Sequence, residues 1–310
     1  MHEYIRDLAY IIKNGEMENT YKMAWARSIV EHCVINPDKP QIHFDELSKR
    51  VFGNYWDQLI FFKLEQSPNP YKKPEICQIV LDQIRKYQSH FGFKPEWFSK
   101  IEHKVLVPQS KISTVLSKDV CWRFLRVSGN TFDIYHLDKA RKIIEVRRPD
   151  LINQYSDVLF ELINYRWSQK LEEFNRSPRI TKKVRGTDRE QIRRSNLSKF
   201  KRYIDLENPK HLCFYSGEPL AAKDVSIDHV LPWSFLYSDD LWNLVYVSKS
   251  YNSIKSNRVP DESVIKRLQS RNVRLQKILH AGGIEDKHTQ ELELSIDNDL
   301  VKKFWMACKG

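Results

Sequence analysis

The stretch "SIDHVLPWSF", residues 226–235, places two polar side chains inside an apolar run and then interrupts the run with a proline. The alternation of β-branched residues predicts a buried strand that ends near Pro232. Asp228 and His229 are costly to bury unless each has a partner. The residues leave two interpretations open. His229 is a satisfied core histidine and Asp228 a turn cap, or the two side chains line a reactive site.

The residues around this stretch predict a short mixed pattern of strands and a helix. Strands are predicted at 213–220, 225–230 and 241–249, and a short helix at 250–257. This order would bring Asp228 and His229 near Asn252 on the helix. A carboxylate and an amide oxygen suit a weakly held Mg²⁺ or Mn²⁺. A neutral histidine beside them could accept a proton from an attacking water.

The longer stretch "SIDHVLPWSF…DDLWNLVYVSKSYNSIKSNRVP" resembles the motif of HNH endonucleases of the ββα-metal type. It is most similar to the HNH domain of RNA-guided CRISPR effector nucleases. The resemblance covers about residues 211–262. His229, Asn243 and Asn252 fall in the family's three positions, separated by fourteen and then nine residues.

The resemblance implies a role for each matching residue. Asp228 and Asn252 would hold the metal, Mg²⁺ or Mn²⁺, and His229 would be the general base that activates water. Asn243 would order the loop behind that histidine, and Lys255 would meet the scissile phosphate.

The resemblance also implies an activity, a metal-dependent endonuclease that hydrolyses DNA, with RNA as a substrate not excluded. The alternative is a catalytically inactive HNH-fold regulator that binds nucleic acid. Many HNH proteins hold a structural zinc with two CxxC pairs. This chain has Cys213 with Ser216 where a partner would fall, so no structural zinc is expected. The aromatic residues of the motif are expected in its core rather than stacked on bases.

Positive charge is concentrated in one segment of the chain. Residues 176–202 contain eleven Lys or Arg and two acids, in a chain whose net charge is +11. A solvated linker is one interpretation, and a clamp for nucleic-acid phosphates is the other. The residues predicted to contact phosphates are Lys182, Lys183, Arg185, Arg193, Arg194, Lys199, Lys201 and Arg202, with Arg258 from the motif.

The overall pattern predicts an α+β protein of three parts. Residues 1–175 read as a mostly helical N-terminal domain, 176–204 as a basic linker or clamp, and 205–310 as the HNH domain with a helical C-terminal tail. The N-terminal part contains a predicted hairpin around Ser128-Gly129-Asn130 and one long helix over 149–174. The N-terminal domain has three alternative roles: it reads the target, docks a partner or inhibits the nuclease.

The composition places the protein among soluble, cytoplasmic proteins. No run of eighteen apolar residues is present, and the N-terminus does not resemble a secretory signal, so no membrane insertion is expected. Five widely spaced cysteines indicate free, mostly buried thiols. A stand-alone nuclease of this kind suggests bacterial restriction or anti-phage defence, with partner proteins of such a system.

Overall fold

The structure, a computed structural model, describes residues 2–69, 72–175, 177–186, 196–255 and 257–309, with the backbone alone for Arg185 and Gly186. The described residues divide into two compact units. The first contains residues up to 175 together with 180–186, and the second contains 177–179 together with everything from 196 onward. Helices dominate both units and the sheets are small, which confirms the predicted α+β class.

The first unit is a helical domain with a small antiparallel sheet. Its helices are α1 Glu3–Asn14, α2 Tyr21–Ile35, α3 Phe44–Phe62, α4 Glu75–Phe91, α5 Phe98–Ile101, α6 Gln109–Val115, α7 Cys121–Arg123, α8 Pro149–Gln154, α9 Ser156–Phe174 and α10 Ile180–Gly186. A π-helix, Leu116–Val120, joins α6 to α7. The strands are β1 Gln41–His43, β2 Arg126–Val127, β3 Asn130–Thr131, β4 Tyr135–Asp138 and β5 Ile143–Val146.

Helix α2 forms the centre of this unit because it is apolar on nearly every side. Met23, Ala24 and Trp25 are consecutive and almost fully buried, which requires neighbours all around the helix. Helices α3, α8 and α9 supply them. The sheet runs in the order β1-β5-β4 and is antiparallel throughout.

Of two elements predicted in this unit, one is confirmed and one is wrong. The predicted hairpin is present, with β2 and β3 paired around Ser128 and Gly129, both of which have positive φ. The single helix predicted over 149–174 is wrong, because Tyr155 separates α8 from α9. Buried apolar residues recur on both sides of Tyr155, so the periodicity carries no sign of the break.

The second unit is built around one antiparallel strand pair and a long helix. Its strands are β6 Val225–His229 and β7 Leu244–Ser248. Its helices are α11 Lys201–Glu207, α12 Trp233–Leu236, α13 Lys249–Lys255, α14 Glu262–Ala281, α15 Lys287–Asp297 and α16 Leu300–Lys309. Two 3-10 turns, Leu197–Phe200 and Leu241–Asn243, precede α11 and β7.

The strand predicted at 213–220 is wrong, since that segment contributes only one isolated bridge, Leu212 to Pro219. The predicted strand at 241–249 begins later, at Leu244, because the 3-10 turn takes its first residues. The expectation about the aromatic residues is confirmed for Trp233, Trp242 and Tyr246, which are buried, and is wrong for Tyr251, which is exposed.

The segment predicted as one basic linker is shared between the two units. Helix α10 belongs to the first unit, whereas the turn Leu197–Phe200 and α11 belong to the second. The cysteines are free thiols, and all but Cys308 are buried, as expected. Among the described residues, no helix combines the length and the apolarity that crossing a bilayer requires.

Candidate functional site

The strand pair β6–β7 sets the positions of the two polar residues that begin the site. Asp228 pairs with Val245 and His229 with Leu244 at the last two positions of β6. Ser226 and Asp228 lie two residues apart and share one face of β6, whereas His229 is the last residue of the strand. Both Asp228 and His229 are buried.

A single amide holds the chain immediately after His229. The Asn243 side chain is fully buried, its Oδ1 accepts from Leu231 N at 2.7 Å, and its Nδ2 donates to Leu231 O at 2.9 Å. The backbone carbonyl of Asn243 also accepts from Val230 N at 2.9 Å. Because both ends of the amide are used, Asn243 fixes the loop that follows β6.

Helix α14 in turn holds the segment that carries Asn243. Asn272 Nδ2 donates to Trp242 O at 2.8 Å, and Arg271 Nη1 contacts Leu241 O at 3.4 Å. Burial lowers the pKa of Arg271 to about 10. Neither residue was predicted from the sequence, because their positions within a long helix carry no motif that identifies them.

Asp228 faces helix α13 and makes an ion pair there. The Lys255 Nζ lies 3.0 Å from Asp228 Oδ2, and the same ammonium donates to His229 O at 2.6 Å. The two side chains are only 6% and 9% exposed for Lys255 and Asp228 respectively. The Lys255 ammonium is thus buried against Asp228, and its contact with a scissile phosphate stays a prediction.

Tyr215 adds a second donor to the same carboxylate oxygen. Its hydroxyl donates to Asp228 Oδ2 at 3.3 Å. Burial first, and then the negative charge of Asp228, raise the pKa of Tyr215 well above its ordinary value, so the phenol keeps its proton. Both donors fall on Oδ2, and Asp228 Oδ1 receives no hydrogen bond within the described part of the chain.

Asn252 lies on the same helix face as Lys255, three residues before it. Its Nδ2 donates to Ser226 Oγ at 3.0 Å. Its Oδ1 accepts no hydrogen bond from the described residues. Helix α13 therefore sets Asn252 and Lys255 against the face of β6 that carries Ser226 and Asp228.

These contacts test whether the residues suit a divalent cation. The Asp228 carboxylate already stabilises a positive charge, the Lys255 ammonium, in a largely buried position. Asp228 Oδ1 and Asn252 Oδ1 are hard oxygen donors that no group in the described residues uses. One carboxylate and one amide oxygen are the ligand types that Mg²⁺ and Mn²⁺ accept, so the residues fit such an ion.

The His229 ring contacts a loop outside the strand pair. Its Nε2 lies 2.9 Å from Asp239 Oδ1, and the two side chains are 9% and 15% exposed. Asp239 lies between α12 and the turn Leu241–Asn243. Asp239 was not among the predicted site residues, although its position in the polar run "YSDD" just before the motif asparagine was available as a signal.

The residues predicted to contact phosphates differ in their exposure to solvent. Lys182, Lys199, Lys201, Arg202 and Arg258 are exposed. Arg202 is engaged with Asp286 Oδ2 at 2.8 Å and with the Tyr203 hydroxyl.

Lys183 is fully buried, with Nζ 6.0 Å from the centre of the Phe62 ring, so it is not displayed to a phosphate. It occupies the buried face of α10 with Ile180 and Val184, at the helical spacing of three and four residues. Arg193, Arg194 and the side chain of Arg185 lie outside the described residues.

Comparison with known families identifies the region that contains these residues. Residues 213–261 match the family model described as HNH endonuclease. Comparisons with curated proteins and with solved structures found no match. The chain therefore carries an HNH endonuclease domain at 213–261, a family of nucleases that generally bind nucleic acid and use divalent metal ions.

Proposed function

We propose that this protein, through its HNH endonuclease domain, is a Mg²⁺- or Mn²⁺-dependent endonuclease that hydrolyses phosphodiester bonds in DNA, by nicking or by double-strand cleavage. The observation that carries the proposal is the pair of unused oxygens, Asp228 Oδ1 and Asn252 Oδ1, on the facing surfaces of β6 and α13. Neither oxygen is among the fully buried side-chain atoms of the described residues that lack a partner, so both are open to solvent and to an ion that would replace it.

Asp228 and Asn252 are the residues that would hold the metal, with further positions left for water and phosphate oxygens. When bound, the ion supplies positive charge that stabilises the phosphate and the leaving 3′ oxygen. Lys255 and Tyr215 hold the other oxygen of Asp228 and so keep its carboxylate oriented toward the site.

His229 is the proposed general base. Its ring accepts a proton from water as the water oxygen bonds to phosphorus, and the bond from phosphorus to the 3′ oxygen breaks. The departing 3′ oxygen gains a proton from solvent. Asn243 fixes the backbone that follows His229, which keeps the ring in place through the reaction.

Exposed cations support DNA as the proposed substrate and partner. Lys199, Lys201 and Arg258 are exposed and belong to the same unit as the motif. Cations of this kind attract the phosphate backbone without regard to sequence, so RNA stays a possible substrate. A role in bacterial restriction or anti-phage defence, in the cytoplasm and with partner proteins, is proposed from the architecture alone.

The second candidate is a catalytically inactive HNH-fold regulator that binds nucleic acid. The ion pair between Lys255 and Asp228 favours it, because this pair satisfies one carboxylate oxygen without any metal. The complete set of Asp228, His229, Asn243 and Asn252 favours the nuclease, since binding alone needs no base.

Plasmid cleavage separates the two candidates. Supercoiled plasmid incubated with protein and Mg²⁺ or Mn²⁺ should be nicked, and EDTA should abolish nicking. His229→Ala should lower the rate about 10²–10⁴-fold, the range for a lost general base. Asp228→Ala, which removes a proposed metal ligand, should abolish nicking. Asp297→Ala, an exposed aspartate in α15, is the matched control and should cut like wild type. Wild-type protein that binds plasmid and never cuts it with either ion would establish the regulator instead.

A further inference from the structure

The contact between Asp239 and His229 has no part in the roles assigned above. Asp239 Oδ1 lies 2.9 Å from His229 Nε2, and both side chains are mostly buried. Asp239 lies on the loop after α12, whereas the proposed metal ligands lie on β6 and α13.

The chemistry of the pair determines which ring nitrogen carries the hydrogen. An ionised carboxylate only accepts hydrogen bonds, so the nitrogen that faces it must be the N–H. In a neutral imidazole the other nitrogen then holds a lone pair. We propose that Asp239 is a positioning residue that fixes His229 as the Nε2–H tautomer and leaves Nδ1 as the atom that accepts the proton from water. This inference rests on the proposed nuclease function.

The loop that carries Asp239 is itself anchored at both ends. Tyr237 ends α12 in the left-handed conformation, with φ of 54°. Asp240 accepts a hydrogen bond from Ser238 Oγ through its side chain, and from Asn243 N at 2.9 Å through its carbonyl. Asp239 is therefore presented from a fixed turn.

The same turn leads into Asn243, which clamps the backbone after His229. Residues 237–243 thus constrain His229 in two ways. Asn243 binds the backbone of Leu231, just after His229, and Asp239 contacts the His229 ring. A base held at both its backbone and its ring has little freedom to rotate, which is the requirement for reproducible alignment with a phosphate.

If the contact served only the stability of the fold, the tautomer of His229 would have no effect on the nicking rate. Asn at position 239 keeps the shape of the side chain and removes its charge, and its amide can face His229 with an N–H group. Nε2 would then have to accept, and the hydrogen would move to Nδ1, the nitrogen needed for catalysis. The isosteric Asp239→Asn variant consequently tests tautomer control directly.

Two measurements on the full-length protein test this inference. The first is single-turnover nicking of supercoiled plasmid with Mg²⁺, together with plasmid affinity. The second is the ring ¹⁵N spectrum of histidine-labelled protein, in which His229 is assigned by its loss in His229→Ala. Asp297→Asn is the matched control, because Asp297 is an exposed aspartate in α15, outside the turn that carries Asp239.

For Asp239→Asn we expect a nicking rate at least tenfold lower and plasmid affinity within twofold of wild type. The ring ¹⁵N spectrum should show that the hydrogen of His229 has moved from Nε2 to Nδ1. Asp297→Asn should change neither the rate nor the tautomer. The inference is overturned if Asp239→Asn keeps the wild-type rate and tautomer, or if it loses activity with the tautomer unchanged.

The spectrum also keeps this inference distinguishable from the proposed function. If wild-type protein never cuts, the nuclease proposal fails, and with it the role of Asp239 in catalysis. If wild-type protein cuts and Asp239→Asn cuts equally well, only the role of Asp239 fails. A wild-type spectrum with the hydrogen on Nδ1 would likewise overturn this inference alone.

Discussion

The N-terminal unit and the HNH domain both bury clusters of polar side chains, but the two clusters differ in charge and in completeness. In the N-terminal unit, Gln66 is the centre of a neutral cluster. Its Oε1 accepts from Thr20 Oγ1 at 2.6 Å and from Trp167 Nε1 at 3.2 Å, and its Nε2 donates to Gln58 Oε1 at 2.8 Å and to Leu64 O at 3.3 Å. Every hydrogen-bonding position of this amide is used.

The cluster around Asp228 in the HNH domain contains charged groups and unused acceptors. Lys255 pairs with Asp228 and Asp239 faces His229, while Asp228 Oδ1 and Asn252 Oδ1 lack donors within the described residues. Neither of these two oxygens is among the fully buried side-chain atoms of the described residues that lack a partner, so solvent reaches both. The glutamine cluster is thus arranged for stability, whereas the aspartate cluster keeps oxygens available for a ligand.

The largest effect on stability that this comparison predicts comes from breaking the charged pair. Lys255→Met leaves the Asp228 carboxylate buried without its ammonium, and removing one partner of a buried pair costs about 3–5 kcal/mol. Added Mn²⁺ or Mg²⁺ should restore most of the loss, because the ion replaces the missing positive charge. Urea unfolding with and without the ion measures both effects.

The control for this variant is Lys249→Met, an exposed lysine at the start of the same helix, which should unfold like wild type under both conditions. If Lys255→Met were as stable as wild type and insensitive to the ions, the aspartate cluster would not be the cation site that the comparison requires.

A smaller loss is expected from the neutral cluster. Gln66→Ala removes an amide that satisfies several buried groups, which should lower the free energy of unfolding by about 2–3 kcal/mol. Plasmid nicking should stay within twofold of wild type at temperatures where the variant is folded. Gln78→Ala, an exposed glutamine in α4, is the matched control and should change neither quantity.

A Gln66→Ala variant that loses nicking while fully folded would break the comparison. It would show that a cluster with every polar position satisfied also serves the reaction. Urea unfolding followed by tryptophan fluorescence, with nicking assayed on the same samples, separates these outcomes.

Local pattern in the sequence was sufficient to predict the centre of the aspartate cluster. Asp228 and His229 end a strand, and the spacing to Asn243 and Asn252 is set by one strand and one short helix, so sequence distance reflects spatial distance. The contact between Asn243 and Leu231 depends on the same short hairpin. The family match to residues 213–261 confirms the HNH assignment.

The contacts that were not predicted depend on how elements pack. The pairing of Lys255 with Asp228 follows from the seating of α13 on β6. Asp239 reaches His229 through the path of a loop, which carries no periodicity. Arg271 and Asn272 act from α14, about thirty residues beyond the backbone groups they hold.

The positive segment shows that a count of charges does not predict their exposure. Eleven cations between residues 176 and 202 suggested one continuous clamp. Helical periodicity gives the better prediction for Lys183, since Ile180 and Val184 mark the buried face of α10 and Lys183 shares it. Exposed cations such as Lys199 and Lys201 belong to neither of the two buried clusters.

Neutralising these exposed lysines should produce the smallest effect and sharpen the distinction between buried and exposed charge. The variant with both Lys199→Gln and Lys201→Gln should unfold like wild type, because isolated surface charges contribute about 0–1 kcal/mol. Each phosphate contact on duplex DNA contributes about 0.9 to the slope of log K against log salt, so the slope should flatten by up to about 2. Lys302→Gln with Lys303→Gln, an adjacent exposed pair in α16, is the matched control. Titration of a DNA duplex at several salt concentrations measures the slopes, and equal slopes for wild type and the Lys199/Lys201 variant would remove these two lysines from the DNA-binding surface.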